Sequence, residues 1–422
     1  MTRHLFITIS NAHSRKFNQL IVLDKIILDI FAEISAISIL KNRPLHIAFI
    51  MTFSLLYLSA PGSLEVCAQN IVIPERWHKD FNDIPPLFKA DSLTLCFIGD
   101  VMMHASQLEN ALKSDSTYDF SSYFRFISQD ISSADIAVAN MEFALGGEPY
   151  TGYPSFSAPD EIAIQMAENG IDIFLAANNH IYDRGRSGAE RTLKIYKDLM
   201  DSHGVSFTGL SSCQADLDRN NPLMLIRKGF RLAFINFTYD TNGGKREGWP
   251  KVNYMDRKGE IADAIAKAGQ QNADVVTALP HWGVEYMLSH SSEQEENAGW
   301  LISQGVDLIV GTHPHVIQDS TFMNGCPVLY SLGNAVSNMS AAYTQLGLMA
   351  KIRIERDEYG EISICRPELT FLWCSHPGGF SREYTLIPVE RYIGKKELWT
   401  NKTDYEKMIS TYERARKATG IK

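Results

Sequence analysis

From residue 93 onward the chain repeats one pattern: a short apolar run, rich in β-branched residues, stops abruptly at polar side chains. "LTLCFIGD" stops at Asp100, "ADIAVANME" at Asn140 and Glu142, and "IDIFLAANNH" at Asn178, Asn179 and His180. "RLAFINFTYDTNG" ends around Asn236 and Asp240, "ADVVTALPHWG" at His281, "VDLIVGTHPH" at His313 and His315, and "CPVLYSLGN" at Asn334. Such runs read as strands buried on both faces. Segments with helical spacing lie between several of them. In "PDEIAIQMAENG", Ile162 and Met166 fall one turn apart, acidic residues come early and Gly170 is the stop. "GAERTLKIYKDLMDSHG" carries Leu193, Tyr196 and Leu199 and ends at Gly204, and "GEIADAIAKAGQQ" and "EQEENAGWLISQG" have the same form. Beyond Ala342, "LGLMAKIRIERDEYGEISICRPELTFLW" predicts a β-hairpin turning at "DEYGE". "REYTLIPVERY" predicts a further strand and "TDYEKMISTYERARKA" a terminal helix. Strands alternating with helices predict an α/β fold, in which ligands gather beyond the carboxyl ends of the strands. The polar residues fall there in every run quoted, which is the strongest sign of an enzyme-like site.

The N-terminal part follows another rule. "KNRPLHIAFIMTFSLLYLSAPGSLEVCAQN" places Lys41 and Arg43 before an apolar run to Leu58, then small residues, with Val66 and Ala68 three and one positions ahead of Gln69. This is the layout of a secretory signal peptide over 43–68, cleaved after Ala68. It lies well inside the chain, so residues 1–42 are expected to be a mis-called upstream start, with the true start near Lys41 or Met51. As an uncleaved anchor, the window around Ile47–Leu58 is short and contains His46, Thr52 and Ser54; Glu65 fits poorly upstream of a lipid-anchored Cys67. The expected organisation is then a lead-in over 69–93, a main domain over 94–340, its C-terminal strands over 341–390, and a tail with a helix over 391–422. The expected location is exported, periplasmic or associated with the cell envelope, with membrane contact only through an uncleaved signal segment.

Composition narrows the partners. The 422 residues are 45% hydrophobic and 21% charged, ordinary for a soluble globular chain with a sizeable core. A net charge of −9 without a basic stripe argues against a nucleic-acid binder. It also repels a polyanionic substrate weakly, unless a bound cation reverses the local field. Of six cysteines, Cys67 leaves with the signal, and the remaining five have no tight spacing. No disulfide framework or thiolate zinc site is predicted, and Cys96 and Cys326, within apolar strands, read as small core residues.

The chemistry lies at the strand ends. In "THPHV", Pro314 biases His313 toward extended geometry, and two residues apart on extended chain the imidazoles share a face and can ligate one metal or reach two; the alternative is a pair of solvent-exposed or core-capping histidines. "PHWG" adds His281. "NNHIYDRG" adds His180 with Asn179 beside it and Asp183 three residues on, in a stretch that would also suit a turn or helix cap. Asp100 is either a ligand at the mouth of the first strand or the N-cap of the next helix, and Asn140 and Glu142 can cap or ligate equally well. Carboxylate, amide and imidazole groups without thiolates suit Mn, Fe or Zn, as one or two ions that activate water for hydrolysis. In "HWGVEY", Glu285 can orient an imidazole or act as a general base, whereas Trp282 and Tyr286 read chiefly as packing. "SLGN" is an anion cradle or a tight turn, and "NGG" a rim loop.

The ordered segments "GDVMMH", "ANMEFAL", "NNHIYDRG", "NFTYDTNG", "PHWGVEY", "GTHPHVIQ" and "YSLGN" resemble those of the CapA family, named for poly-γ-glutamate capsule synthesis, itself similar to the calcineurin-like metallophosphoesterases. The resemblance implies a four-layer α-β-β-α sandwich. It implies metal ligands at Asp100, Glu142 or Asn140, Asn179, His281, His313 and His315, and it implies that His180 protonates or steadies the leaving group. His104, Asp183, Tyr286 and Asn334 would stand behind the ligands or face substrate. Two departures stand out. Met102 replaces the histidine expected two residues after the first aspartate, with His104 two further on, and "NME" replaces the usual bridging aspartate; both put one metal position in doubt. The function implied is a metal-dependent hydrolase or transferase acting on an acidic cell-envelope polymer, at a γ-glutamyl amide or a phosphoester. The alternatives are a non-catalytic polymer-binding assembly protein and a metal-dependent phosphoesterase.

Overall fold

The first apolar run becomes β1 (Asp91–Val101), whose two faces bury different partners. Leu93, Leu95 and Phe97 enter one apolar cluster, and Cys96 and Ile98 another. The computed structural model describes residues 91–421, all within the unit Pro86–Lys422. The expected upstream stretch, signal peptide and lead-in as far as residue 90 lie outside the described residues. The last three residues assigned to the lead-in belong to β1, because its ladder with a C-terminal strand starts at Asp91↔Arg356.

In chain order the elements after β1 are α1 (Ala105–Ala111), α2 (Ser128–Ser132), β2 (Ile136–Met141), α3 (Asp160–Glu168), β3 (Ile173–Leu175), α4 (Gly185–His203), β4 (Ser206–Thr208) and β5 (Leu210–Ser211). Then come α5 (Gln214–Asn220), β6 (Leu223–Arg227), β7 (Phe230–Thr238), β8 (Lys251–Val252), α6 (Lys258–Gln270), β9 (Val275–His281), α7 (Ser292–Gln304) and β10 (Leu308–Val310). The chain closes with β11 (Ser320–Met323), β12 (Cys326–Leu329), β13 (Asn334–Val336), β14 (Leu346–Arg356), β15 (Ile362–Ile364), β16 (Glu368–Ser375), β17 (Thr385–Pro388), α8 (Val389–Tyr392) and α9 (Lys402–Thr419).

One sheet runs β17-β16-β14-β1-β2-β3-β4, with β13 added beside β1 and β15 beside β14; the other runs β11-β12-β10-β9-β7-β6. β1 to β4 are parallel, as are β7, β9, β10 and β12. Three apolar clusters define the layers. Leu108, Met166 and Leu193 of α1, α3 and α4 cover one face of the first sheet. Ile261 and Leu301 of α6 and α7 cover the second sheet. Between the sheets, Leu95 and Val138 share a cluster with Phe234, Leu279 and Val310. This is the four-layer α-β-β-α sandwich that was expected. The terminal helix is no trailing tail: Met408, Tyr412 and Ala415 of α9 join the inter-sheet cluster, with Tyr412 edge-on to Phe371 at 4.9 Å. The cysteines of the described residues are all free thiols, Cys96 and Cys326 buried as expected. No described helix is long and apolar enough to cross a membrane.

Helix ends obey local chemistry. Ser291 caps α7 in a reciprocal box with Gln294, and Gly204, Gly305 and Gly420 end α4, α7 and α9 in the left-handed region.

β1 lies close against another chain segment at Gly99. A Cβ there would sit 1.8 Å from the Gly333 carbonyl oxygen, and the register of β1 against β2 shifts between Ile98 and Asp100. Such an irregularity re-aims the side chain that follows it, here Asp100. Gly99→Ala is therefore expected to destabilise the fold by about 2 kcal/mol or more, since the clash is with backbone; an unchanged urea midpoint would show that the two strands can part freely.

Candidate metal centre

The carboxyl ends of β1, β2, β9 and β10 bring polar side chains of both sheets together in a fully buried cluster. Asp100 accepts a hydrogen bond from Asn140 Nδ2 at 2.7 Å and another from the His313 backbone N–H at 3.2 Å. Glu142, just past β2, lies with Oε1 3.5 Å from His281 Nε2 and 3.8 Å from His315 Nε2. Neither of its oxygens has a hydrogen-bond partner, and the same holds for His313 Nδ1 and Asn140 Oδ1. A buried polar atom without a partner costs about 1–3 kcal/mol, and a charged one more. Four such atoms in one place fit a site that a bound cation would satisfy.

The donors form two overlapping triads, Asp100–Glu142–His281 and Glu142–His313–His315, each with its ligand atoms within 4.8 Å of one another. Glu142 belongs to both. A set of oxygen and imidazole nitrogen donors fits a divalent ion of the Mn, Fe or Zn type. Outer partners fix the imidazoles. Asn334 donates to the Thr344 carbonyl at 2.9 Å, so its Oδ1 faces His315 Nδ1 at 3.0 Å and must accept from it. The Nε2 lone pair of His315 then points to the Glu142 side. His281 Nδ1 lies 3.0 Å from Thr312 Oγ1, and its Nε2 lies 3.0 Å from Asn179 Oδ1.

Without a cation the cluster resists charge. Burial raises the Asp100 pKa, against the pull of His315. Burial, then the charge of Asp100, drives Glu142 well above the usual range. Burial and the neighbouring histidines push His281 well below it, and His313 and His315 also fall. A divalent ion inverts this logic, because it favours ionised carboxylates and neutral imidazoles together.

The backbone differs from the extended geometry expected around Pro314. His313 has φ 100° and His315 φ 58°, conformations rare outside glycine and costing on the order of 1–3 kcal/mol each. The imidazoles converge through this strained loop, with ring centres 5.9 Å apart, and not by alternation along a strand.

His180 stands beside the triads. Its Nδ1 lies 2.7 Å from Asp183 Oδ2, which also accepts from the Phe156 N–H, and its ring packs 4.6 Å from Phe156. Asp100 is not an N-cap: that role at α1 falls to His104, which pairs with Gln107 and accepts from the Asn338 N–H at 3.3 Å. His104 therefore lies outside both triads, and Met102 is buried in the apolar core, offering no ligand. Glu285 and Tyr286 are exposed on the segment after β9. Tyr286 donates its backbone N–H to Pro314 and lies 6.3 Å from the His315 ring, whereas Trp282 is buried packing that donates to the Tyr330 carbonyl. Sequence reasoning missed Thr312 and Tyr239. The Tyr239 ring lies 4.5 Å from His313 and stacks over His281 at 6.4 Å. Both sit inside motifs already noted, yet neither residue type marks a metal site.

A family profile described as "Bacterial capsule synthesis protein PGA_cap" matches residues 94–339. The chain is 28% identical over 280 residues to the capsule biosynthesis protein CapA of Bacillus anthracis, covering 63% of this chain and 65% of that protein, just under two thirds of the relative's length. It is 25% identical over 292 residues to the PGA biosynthesis protein CapA of Bacillus subtilis strain 168, covering 66% and 72%. Among solved structures it is similar to the calcineurin-like phosphoesterase YfkN of Bacillus subtilis, with 14% identity, a TM-score of 0.43, and coverage of 77% of this chain and 100% of that one.

Three outcomes are expected. Mn²⁺ at about 100 times its Kd should stabilise the protein by about 2.7 kcal/mol. Glu142→Gln should abolish that increment while raising the stability of chelator-treated protein; calorimetric melting with and without chelator reads both, and a variant that still responds to Mn²⁺ would remove Glu142 from the site. Asn334→Ala should weaken Mn²⁺ binding by about 10–100-fold by freeing the His315 tautomer, as measured by titration calorimetry.

Proposed function

The chain belongs to the PGA_cap family of bacterial capsule synthesis proteins, and from that premise we propose that it is an exported, envelope-associated accessory protein that holds a divalent metal and hydrolyses or transfers at a bond of an acidic polymer. The observation that carries this reading is Glu142, buried with both oxygens unpartnered and shared by two triads. Asp100, Glu142, Asn179, His281, His313 and His315 are the residues that would hold the ion or ions. A divalent ion there supplies Lewis-acid polarisation of a carbonyl or phosphoryl oxygen and makes water a nucleophile near neutral pH.

The chain's own groups supply the rest. Asn334 and Thr312 orient His315 and His281. His180, oriented by Asp183 and wedged against Phe156, delivers a proton to the leaving nitrogen or oxygen. Tyr239 and Tyr286 keep their phenol protons, with pKa values pushed up to about 12 by burial and then by the Glu285 charge, so both remain donors toward a bound anion. Glu285 is exposed beside them and accessible to substrate, as a general base at the mouth must be. The bond is a γ-glutamyl amide or a phosphoester.

One observation favours a second reading, a non-catalytic polymer-binding assembly role: Met102 fills its position with an apolar side chain and His104 is committed to capping α1. Chain-length analysis of γ-polyglutamate incubated with the full chain and Mn²⁺, beside release of p-nitrophenol from its phosphate esters, separates the readings. Shortening or transfer is expected, lost in His281→Ala and reduced by about 10²–10⁴-fold in His180→Ala. Bound metal with no turnover of either substrate leaves the assembly role.

A further inference from the structure

The loop after β7 is fastened to the segment that carries His180. The Asn242 N–H donates to the Asn179 carbonyl at 2.7 Å, and Asn242 Nδ2 lies 3.1 Å from His180 Nδ1. The loop then turns tightly, with Thr241 Oγ1 donating to the Gly244 carbonyl at 2.7 Å, and the Arg246 N–H is held by the Tyr254 hydroxyl at 3.1 Å. The Arg246 guanidinium lies 5.2 Å above the ring of Tyr182, two residues beyond His180. Tyr182 is itself buried and anchored through its hydroxyl to the Pro250 carbonyl. Arg246 thereby borders a cavity of about 200 Å³ lined also by Glu247, Trp249, Lys251, Tyr254 and Arg257.

Charge pairing singles out one residue. Lys245 pairs with Asp256 at 2.6 Å, Lys251 with Glu260 at 2.9 Å, and Arg257 with Glu247 and Glu260. Among the described residues Arg246 has no carboxylate partner. Arg246 is exposed, and among the described residues its guanidinium donates no hydrogen bond to the protein, so its N–H groups can grip a planar carboxylate through two parallel hydrogen bonds. One uncompensated positive charge matches one negative charge. A phosphate dianion would call for more, and the nearby cations are already neutralised. On a chain of net charge −9, such a local cation counters the general repulsion of an anionic ligand.

We propose that this cavity is a carboxylate-binding subsite anchored by Arg246, which takes a carboxylate of the polymer on the leaving-group side of His180. The subsite rests on the acidic-polymer reading, yet it is tested by binding and not by turnover. Titration calorimetry of the full chain with a short γ-linked glutamate oligomer should show binding weakened on the order of tenfold or more in Arg246→Ala. Arg246→Lys, which keeps the charge and loses the fork, should fall between. γ-Linked oligomers with amidated α-carboxyls should bind wild type and Arg246→Ala alike. The subsite is overturned if wild type does not bind the oligomer, if Arg246→Ala binds it as wild type does, or if inorganic phosphate binds at Arg246 and the oligomer does not. Arg246-dependent binding without cleavage would uphold the subsite and remove the hydrolase reading; cleavage with the same KM in Arg246→Ala would do the reverse.

Discussion

Glu142 is a carboxylate fully removed from water whose two oxygens meet no donor. An isolated ion in such a place is too costly for a folded domain to keep, so it must be protonated or matched by positive charge. The surrounding imidazoles do not supply that charge, because burial lowers their own proton affinity. Much of the local architecture fits a frame for one bound cation. The Gly99 close approach aims Asp100, the left-handed backbone at His313 and His315 turns two rings inward, and Asn334 dictates which nitrogen faces Glu142.

The strand-and-helix skeleton was legible because each element announces itself locally. Every quoted apolar run became a strand, and Gly204 and Gly305 marked helix ends by backbone chemistry that does not depend on the fold. What local pattern could not express was partnership. β13 joins β1, and β6 and β11 edge the second sheet; which strand pairs with which is not written in the period of any one of them. The incorporation of α9 into the inter-sheet cluster was equally hidden, since an amphipathic helix reads the same whether it docks or trails.

The site shows the same division. Strand-end position picked out Asp100, Glu142, His281, His313 and His315, because in parallel sheets sequence order puts those ends on one rim. The geometry that joins the two histidines was misjudged: Pro314 restricts its predecessor toward extended chain, but contacts with Asp100 and Tyr286 hold the loop in a left-handed conformation instead. Tertiary restraint overrode a local preference there. Thr312 and Tyr239 were invisible for a different reason. A threonine or tyrosine becomes functional only through what it touches, and contact across two sheets is not written in spacing.

The two triads are unequal in charge. Asp100, Glu142 and His281 contribute two carboxylates, whereas Glu142, His313 and His315 contribute one. The first triad is thus the more negative of the two, and Met102, buried in the apolar core, offers a hard cation no ligand. Loss of a neutral ligand lowers affinity without altering the electrostatic demand at Glu142, since that demand comes from burial and from Asp100. One ion suffices to meet it. A second ion would have to share that carboxylate with the imidazoles of His313 and His315.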